Sequence, residues 1–292
     1  MLYIGTAGWS YPDWQGVFYP SKLARGSHHL QYYARFFNFV EVNTSYYHPQ
    51  SAQASKAWVG HVAGRDDFQF SVKLWQKFVL ERTTFGREEV QLVRAGLDIL
   101  QDAGRLSALL VQFPQSFKLD LENRSWLYRI LTAFKMYPLV VELRHKSWLQ
   151  EESMRMLEDN KISLATIDQP VIGAGLPLTQ VDLSKLSYFR FHGRNEKMWF
   201  NEDASRDERY DYDYAPDEIA TFAEHARASI EGGKTVVAIF NNHFHGQAPK
   251  NAFEFSHTLT GEKPPVPDEM VLAYRTLAEI RKPDFPNQME LF

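Results

Sequence analysis

Eight short apolar runs recur along this chain with amphipathic stretches between them, and no other feature restricts its fold as tightly. The runs read as strands at Leu2 to Ala7, Phe39 to Asn43, Phe68 to Lys73, Ala108 to Phe113, Leu139 to Arg144, Ile162 to Asp168, Tyr188 to His192 and Val236 to Asn241. Helical periodicity covers Leu23 to Phe37, Ala52 to Ala63, Arg87 to Ala103, Asn123 to Met136, Trp148 to Asn160, a short piece near Leu183, Pro216 to Glu231, and Asn251 to Leu259. Pro216 suits the first turn of its helix, and Asp217 and Glu218 follow where the helix dipole favours acids. Strand and helix alternating eight times without a linker-like break predict an α/β fold: a single-domain (β/α)8 TIM barrel over residues 1–281, closed by a helix at Asp268 to Arg281. A doubly wound open sheet is the alternative. Residues 282–292 read as an extended tail.

Composition removes several classes of chemistry. The chain has 292 residues and 44% hydrophobic content, enough for a large core, and no cysteine, which excludes disulfides, thiolate metal sites and thiol catalysis. No run approaches 18 apolar residues, so no membrane association is expected, and with no leader-like start the expected location is cytoplasmic. A formal net charge of −4 opposes a generally basic nucleic-acid surface while leaving room for a local basic patch.

Alternation along the strands yields the functional argument. Val40, Val42, Phe70, Val72, Leu109, Val111, Phe113, Val141, Leu143, Phe189, Phe191, Ala238 and Phe240 suit the helix-facing side. The opposite parity, directed at the barrel axis, then reads Glu41, Asn43, Ser71, Lys73, Gln112, Glu142, Arg144, Thr166, Asp168, Arg190, His192 and Asn241. Barrel interiors are normally filled with branched apolar residues, and active sites in this fold occupy the C-terminal face. So many polar strand ends predict a pocket there. A self-satisfied ion-pair network closing the barrel is the plainer alternative.

The stretch Val140 to Trp148 shows the pattern most clearly. Glu142 and Arg144 share a face, and Ser147 with Gln150 forms a capping-box pattern that would start the next helix. Arginine's planar fork matches carboxylate or phosphate, and Lys73 adds a compact charge, so the expected ligand is a small anion. Catalytic candidates are Glu142 as base, His192 as acid, Asp168 and Glu41; ligand-binding candidates are Asn43, Tyr46, Lys73, Gln112, Arg144, Trp148, Arg190, Arg194, Asn241 and Asn242. No cofactor is evident. Asn242-His243-Phe244-His245-Gly246 reads as a metal site or as two hydrogen-bonded histidines. Long loops carry further signals: five aromatics from Trp9 to Tyr19, able to stack on a ligand or on one another, and Tyr210, Tyr212 and Tyr214 in the stretch from Arg194 to Ala215.

Ordered blocks also carry a family resemblance. They are Gly5-Thr6-Ala7-Gly8-Trp9-Ser10-Tyr11, Trp14, Gly16, Phe18-Tyr19-Pro20, Val40-Glu41-Val42-Asn43 with Tyr46-Tyr47, Phe70-Ser71-Val72-Lys73, Gln112-Phe113-Pro114, Val141-Glu142-Leu143-Arg144-His145 with Trp148, Arg190-Phe191-His192-Gly193-Arg194, and Phe240-Asn241-Asn242. Spanning Leu2 to Leu259, they resemble the YecE-like family, domain of unknown function 72. The resemblance implies a TIM barrel shaped like the xylose isomerase and endonuclease IV group, and it supplies no reaction. Family members often place a Thr-His pair after the lysine; this chain has Leu80-Glu81-Arg82-Thr83-Thr84 and lacks that histidine. Shape relatives hold divalent metals with Glu, Asp and His, whereas Lys73, Arg144 and Arg190 would repel a cation, so a metal is not favoured. The terminal Gln288, Met289, Glu290, Leu291 and Phe292 resemble a bacterial sliding-clamp-binding peptide; the plainer alternatives are that Leu291 and Phe292 pack on the barrel or that the tail is disordered. Three functions stay open: an enzyme acting on a small anion, an endonuclease IV-like nucleic-acid enzyme associated with a clamp, and a binding protein without turnover.

Overall fold

Each apolar run becomes a strand: β1 (Leu2–Ala7), β2 (Phe39–Val42), β3 (Gln69–Lys73), β4 (Leu106–Gln112), β5 (Leu139–Glu142), β6 (Ser163–Asp168), β7 (Leu186–Phe191) and β8 (Thr235–Phe240). The structure is a computed structural model, and it describes residues 1–199, 201 and 203–283. The strands pair in parallel in sequence order, and β1 pairs with β8, so the sheet closes on itself as a (β/α)8 barrel. A bulge between Phe70 and Ser71 shifts the β3–β4 register by one residue, so that Ser71 stands beside Ala108. The residues of the proposed clamp-binding peptide lie outside those described.

Helices α1 (His29–Tyr33), α2 (Ala52–His61), α3 (Arg87–Asp102), α4 (Leu121–Ala133) and α5 (Glu151–Asp159) follow β1 to β5. The short α6 (Glu196–Trp199) and α7 (Arg206–Arg209) lie in the loop after β7, ahead of α8 (Pro216–Glu231), and α9 (Gln247–Thr260) follows β8. Beyond it come α10 (Asp268–Ala273) and α11 (Leu277–Ile280).

Four expectations of secondary structure change, the first being that the single helix expected over Asp268 to Arg281 breaks at Tyr274 (φ −130°, ψ 89°) into α10 and α11. The helix expected near Leu183 is absent, and an irregular segment joins β6 to β7. α1 is only one turn long because Gly26 adopts φ +89°, which ends any helical run from Leu23. Ser147 does not cap α5: its hydroxyl accepts from the Leu119 amide at 2.7 Å and meets His145 Nδ1 at 2.8 Å, and α5 starts after Gln150.

The core has two layers. Outside the sheet, apolar strand residues meet the helices, as Val40, Val42, Phe191 and Phe240 do. Inside, Ala7, Phe39, Ala108, Leu110, Val140, Ala165, Ile167, Tyr188, Val237 and Ile239 fill the barrel below its C-terminal end. This inner plug supports everything above it, and burying each of its larger side chains contributes about 1.5–3 kcal/mol.

Candidate functional site

Above that plug the inward side chains turn polar. Arg190, on β7 and 1% exposed, is the hub: its Nε and Nη2 donate to the two carboxylate oxygens of Glu41 on β2 at 2.9 and 2.6 Å. Its Nη1 reaches Gln112 of β4 at 3.1 Å and also bonds Glu142 of β5. Tyr188 donates to Glu41 at 3.0 Å, and the Ser71 hydroxyl supports Tyr188 at 2.6 Å. Arg144 Nε donates to the other Glu142 oxygen at 2.7 Å. A guanidinium has five donors in a fixed plane, which is why one arginine can tie four strands together.

The charges are tuned by this packing. Burial pushes the Glu142 carboxyl up, but Arg190, Arg144 and His192 outweigh it and hold the group well below the usual carboxylate range. With both oxygens engaged and its proton affinity lowered, Glu142 is built to anchor arginines and is poorly suited to act as a base. His192 is fully buried and is lowered to about 3, first by burial and then by Arg190, with Glu142 opposing. It is therefore a neutral imidazole at physiological pH, so the acid role read from sequence has no imidazolium to start from. His192 Nδ1 lies 2.9 Å from the side-chain NH2 of Asn241, which can only donate, so Nδ1 is the accepting nitrogen and the ring proton sits on Nε2, 3.5 Å from Glu142 Oε1 and 3.2 and 3.3 Å from Arg190 and Arg144.

Lys73 differs from its neighbours. It ends β3 on the inner face, partly exposed at the mouth, with Nζ held 4.4 Å from the ring centre of Tyr46. Among the described residues its Nζ makes no hydrogen bond or ion pair. Enclosure and then Arg190 lower it to about 8, against the pull of Glu41 and Glu142. The side-chain oxygen of Asn43, at the start of the turn that carries Tyr46, is buried without a partner.

Not every candidate joins this cluster. On β6 the inner face is taken by Ala165 and Ile167, so Thr166 and Asp168 have the opposite parity from that expected. Asp168 instead pairs with Arg194, whose Nε and Nη2 lie 2.9 and 2.7 Å from Oδ1, and accepts from Tyr214 at 2.7 Å. Arg194 also reaches Glu218 at 2.6 Å, so this second network staples the loop after β7 to α8. Trp148 is buried, donates to the Phe117 carbonyl at 2.7 Å and stacks on that ring, away from ligand contact. Asn242 bonds the Tyr212 carbonyl and Asn251.

Sequence reasoning missed two residues. Tyr188 stands between Ser187 and Phe189, where nothing in the sequence marks its bond to Glu41. Gln169, 4% exposed, follows directly on β6, and neither of its amide atoms has a partner. The Gln-Pro pair was the available signal.

Loops complete the mouth. Trp199 lies over Arg144 at 5.8 Å and packs near His192, and Tyr210 connects it to His243, which stacks on Tyr11 at 4.4 Å. The aromatics of the first loop pack mostly on one another, and Trp14 donates to the His243 carbonyl at 2.7 Å. His243 is buried against Tyr11 while His245 is exposed, and its amide donates to Asp13 at 2.7 Å, so the two histidines do not converge. A divalent cation does not fit the inner network: the oxygens of Glu41 and Glu142 already accept from arginine, and no group of three or more potential ligands occurs among the described residues. Nor is any described helix long and apolar enough to cross a membrane.

Fold and site together define a TIM-barrel protein whose C-terminal mouth is lined by an arginine–carboxylate network. More particularly, the chain belongs to the family described as "Protein of unknown function DUF72", which matches residues 3–271. It is 30% identical over 266 residues to UPF0759 protein YunF of Bacillus subtilis, covering 86% of this chain and 92% of that one. A DUF72 family protein of known structure from Thermotoga maritima is 34% identical with a TM-score of 0.78, covering 89% of this chain and 99% of its own. Another, from Enterococcus faecalis, is 29% identical with a TM-score of 0.77, covering 89% and 95%.

Proposed function

We propose that this protein is a cytoplasmic enzyme that binds a small phosphate- or carboxylate-bearing ligand at the C-terminal mouth of the barrel. One observation carries the reading: the inner network sets Glu41 and Glu142 against Arg190, Arg144 and Lys73, leaving a single cation, Lys73, without a carboxylate. An anion is the species that would balance it. The orphaned Asn43 oxygen and Gln169 amide support the reading, because buried polar atoms normally have partners.

Calorimetric titration with inorganic phosphate and short-chain carboxylates tests this. Lys73→Met should weaken binding by about tenfold to a hundredfold, the loss of one charged hydrogen bond. Equal affinity of the variant and the parent would remove the proposal. Binding of an oligonucleotide with a steep salt dependence, and none of phosphate, would put the nucleic-acid reading in its place.

A further inference from the structure

Lys73 has a second capacity that charge alone does not use. A lysine tied into an ion pair is a poor nucleophile, because its lone pair is protonated and its position is fixed by the partner. Here the carboxylates that could have tied it are taken: Arg190 holds both oxygens of Glu41, and Arg190 with Arg144 holds both of Glu142. What remains beside Nζ is the face of Tyr46 and the mouth of the barrel.

From this geometry, and resting on the anion-binding reading above, we propose that Lys73 captures the carbonyl carbon of its ligand, so that the substrate class is an anionic aldehyde or ketone held as an imine. The anionic group would lie towards Arg144 and the carbonyl towards Nζ. In the step itself the amine lone pair forms the C–N bond as the carbonyl π pair moves to oxygen. The resulting carbinolamine loses that oxygen as water and becomes a protonated imine. Counted from the ammonium form, one carbonyl compound and one lysine give one iminium and one water, with no change in oxidation state and no net proton released.

The surroundings of Lys73 favour this chemistry. With its proton affinity lowered to about 8, roughly a tenth of Lys73 is free amine at pH 7. That is about two orders of magnitude more than for an unperturbed lysine. A protonated imine at this point keeps the positive charge that the anion balances, and it draws electrons from the adjacent carbon.

The test uses the full chain with pyruvate and with dihydroxyacetone phosphate, each trapped by cyanoborohydride near pH 7 and mapped by peptide mass spectrometry. Cyanoborohydride supplies the hydride that fixes the imine as a secondary amine. The expected result is saturable labelling of Lys73 at least about tenfold faster than of the exposed Lys22 and Lys56, suppressed by excess inorganic phosphate. Lys73→Arg, which keeps the charge but has no nucleophilic amine, should lose the adduct. Labelling of Lys73 no faster than of Lys22 while phosphate still binds would overturn imine capture and leave anion binding standing. Failure of both labelling and phosphate binding would overturn the two together.

Discussion

Without the Arg190 guanidinium, Glu41 would be buried at 0% exposure with no arginine beside it, and Glu142, equally buried, would keep only Arg144. A buried carboxylate deprived of its partner costs far more than a salt bridge contributes, because desolvation is no longer offset. Arg190→Met is therefore expected to lose about 3–5 kcal/mol of unfolding free energy. Adding Glu41→Gln to that variant should recover part of the loss, since it removes the carboxylate left without an arginine. Urea titration of the single and double variants measures both quantities. An unchanged midpoint in Arg190→Met would mean that water or rearrangement satisfies the carboxylates, and the hub role would be lost. The roles of Glu142 and His192 also belong at this scale. Sequence places both on the inner face, yet their chemistry depends on contacts between strands far apart in the chain, and alternation carries no information about those contacts.

Among the elements, the loop after β7 connects the two networks. Trp199 and Tyr210 cover Arg144 and His192, and the loop's return path is held by Tyr214, which donates to Asp168 and accepts from the Gly193 amide at 2.7 Å. Tyr214→Phe keeps the ring and removes both bonds, leaving a buried Asp168 oxygen less satisfied, a loss of about 1–3 kcal/mol. The loss should fall locally, as faster hydrogen exchange at Gly193 and across residues 207–215 with little change in β1 to β5. Exchange unchanged in that segment would show that the staple does not hold the loop. How much was legible in advance also differs by element. On β2, β3, β4, β5 and β7 the polar parity was the inner one because the other parity was strongly apolar, as with Val40 and Val42 around Glu41. β6 defeated the same reasoning: Ala165 and Ile167 are as hydrophobic as an outer face and yet point inward, and Asp168 is polar because it meets Arg194 and Tyr214. Strand alternation identifies two faces, and only the helices and loops packed on them decide which is which.

For the whole molecule, the cost of this arrangement is a dependence of stability on acid. His192 is lowered to about 3 in the folded protein, whereas an unfolded histidine titrates near 6.5. Between those values the unfolded chain takes up a proton that the folded barrel refuses. The unfolded state therefore binds more protons, and unfolding free energy rises with pH through this window and falls as pH drops below about 6.5. Full development of the effect is worth a few kcal/mol. Glu142, whose folded-state proton affinity is depressed, adds a loss of the same sign at lower pH, beginning only near the ordinary carboxylate range. The two can be separated with His192→Gln, which can still hydrogen-bond Asn241 and the arginines but does not titrate. Unfolding free energies measured in urea from pH 7 to 4.5 should fall less steeply for the variant than for the parent, and the difference should be established by pH 5, before Glu142 contributes. Parallel curves would mean that His192 takes its proton within the folded barrel. The mouth would then gain a second positive charge in mild acid, and anion binding should tighten there instead of following Lys73 alone.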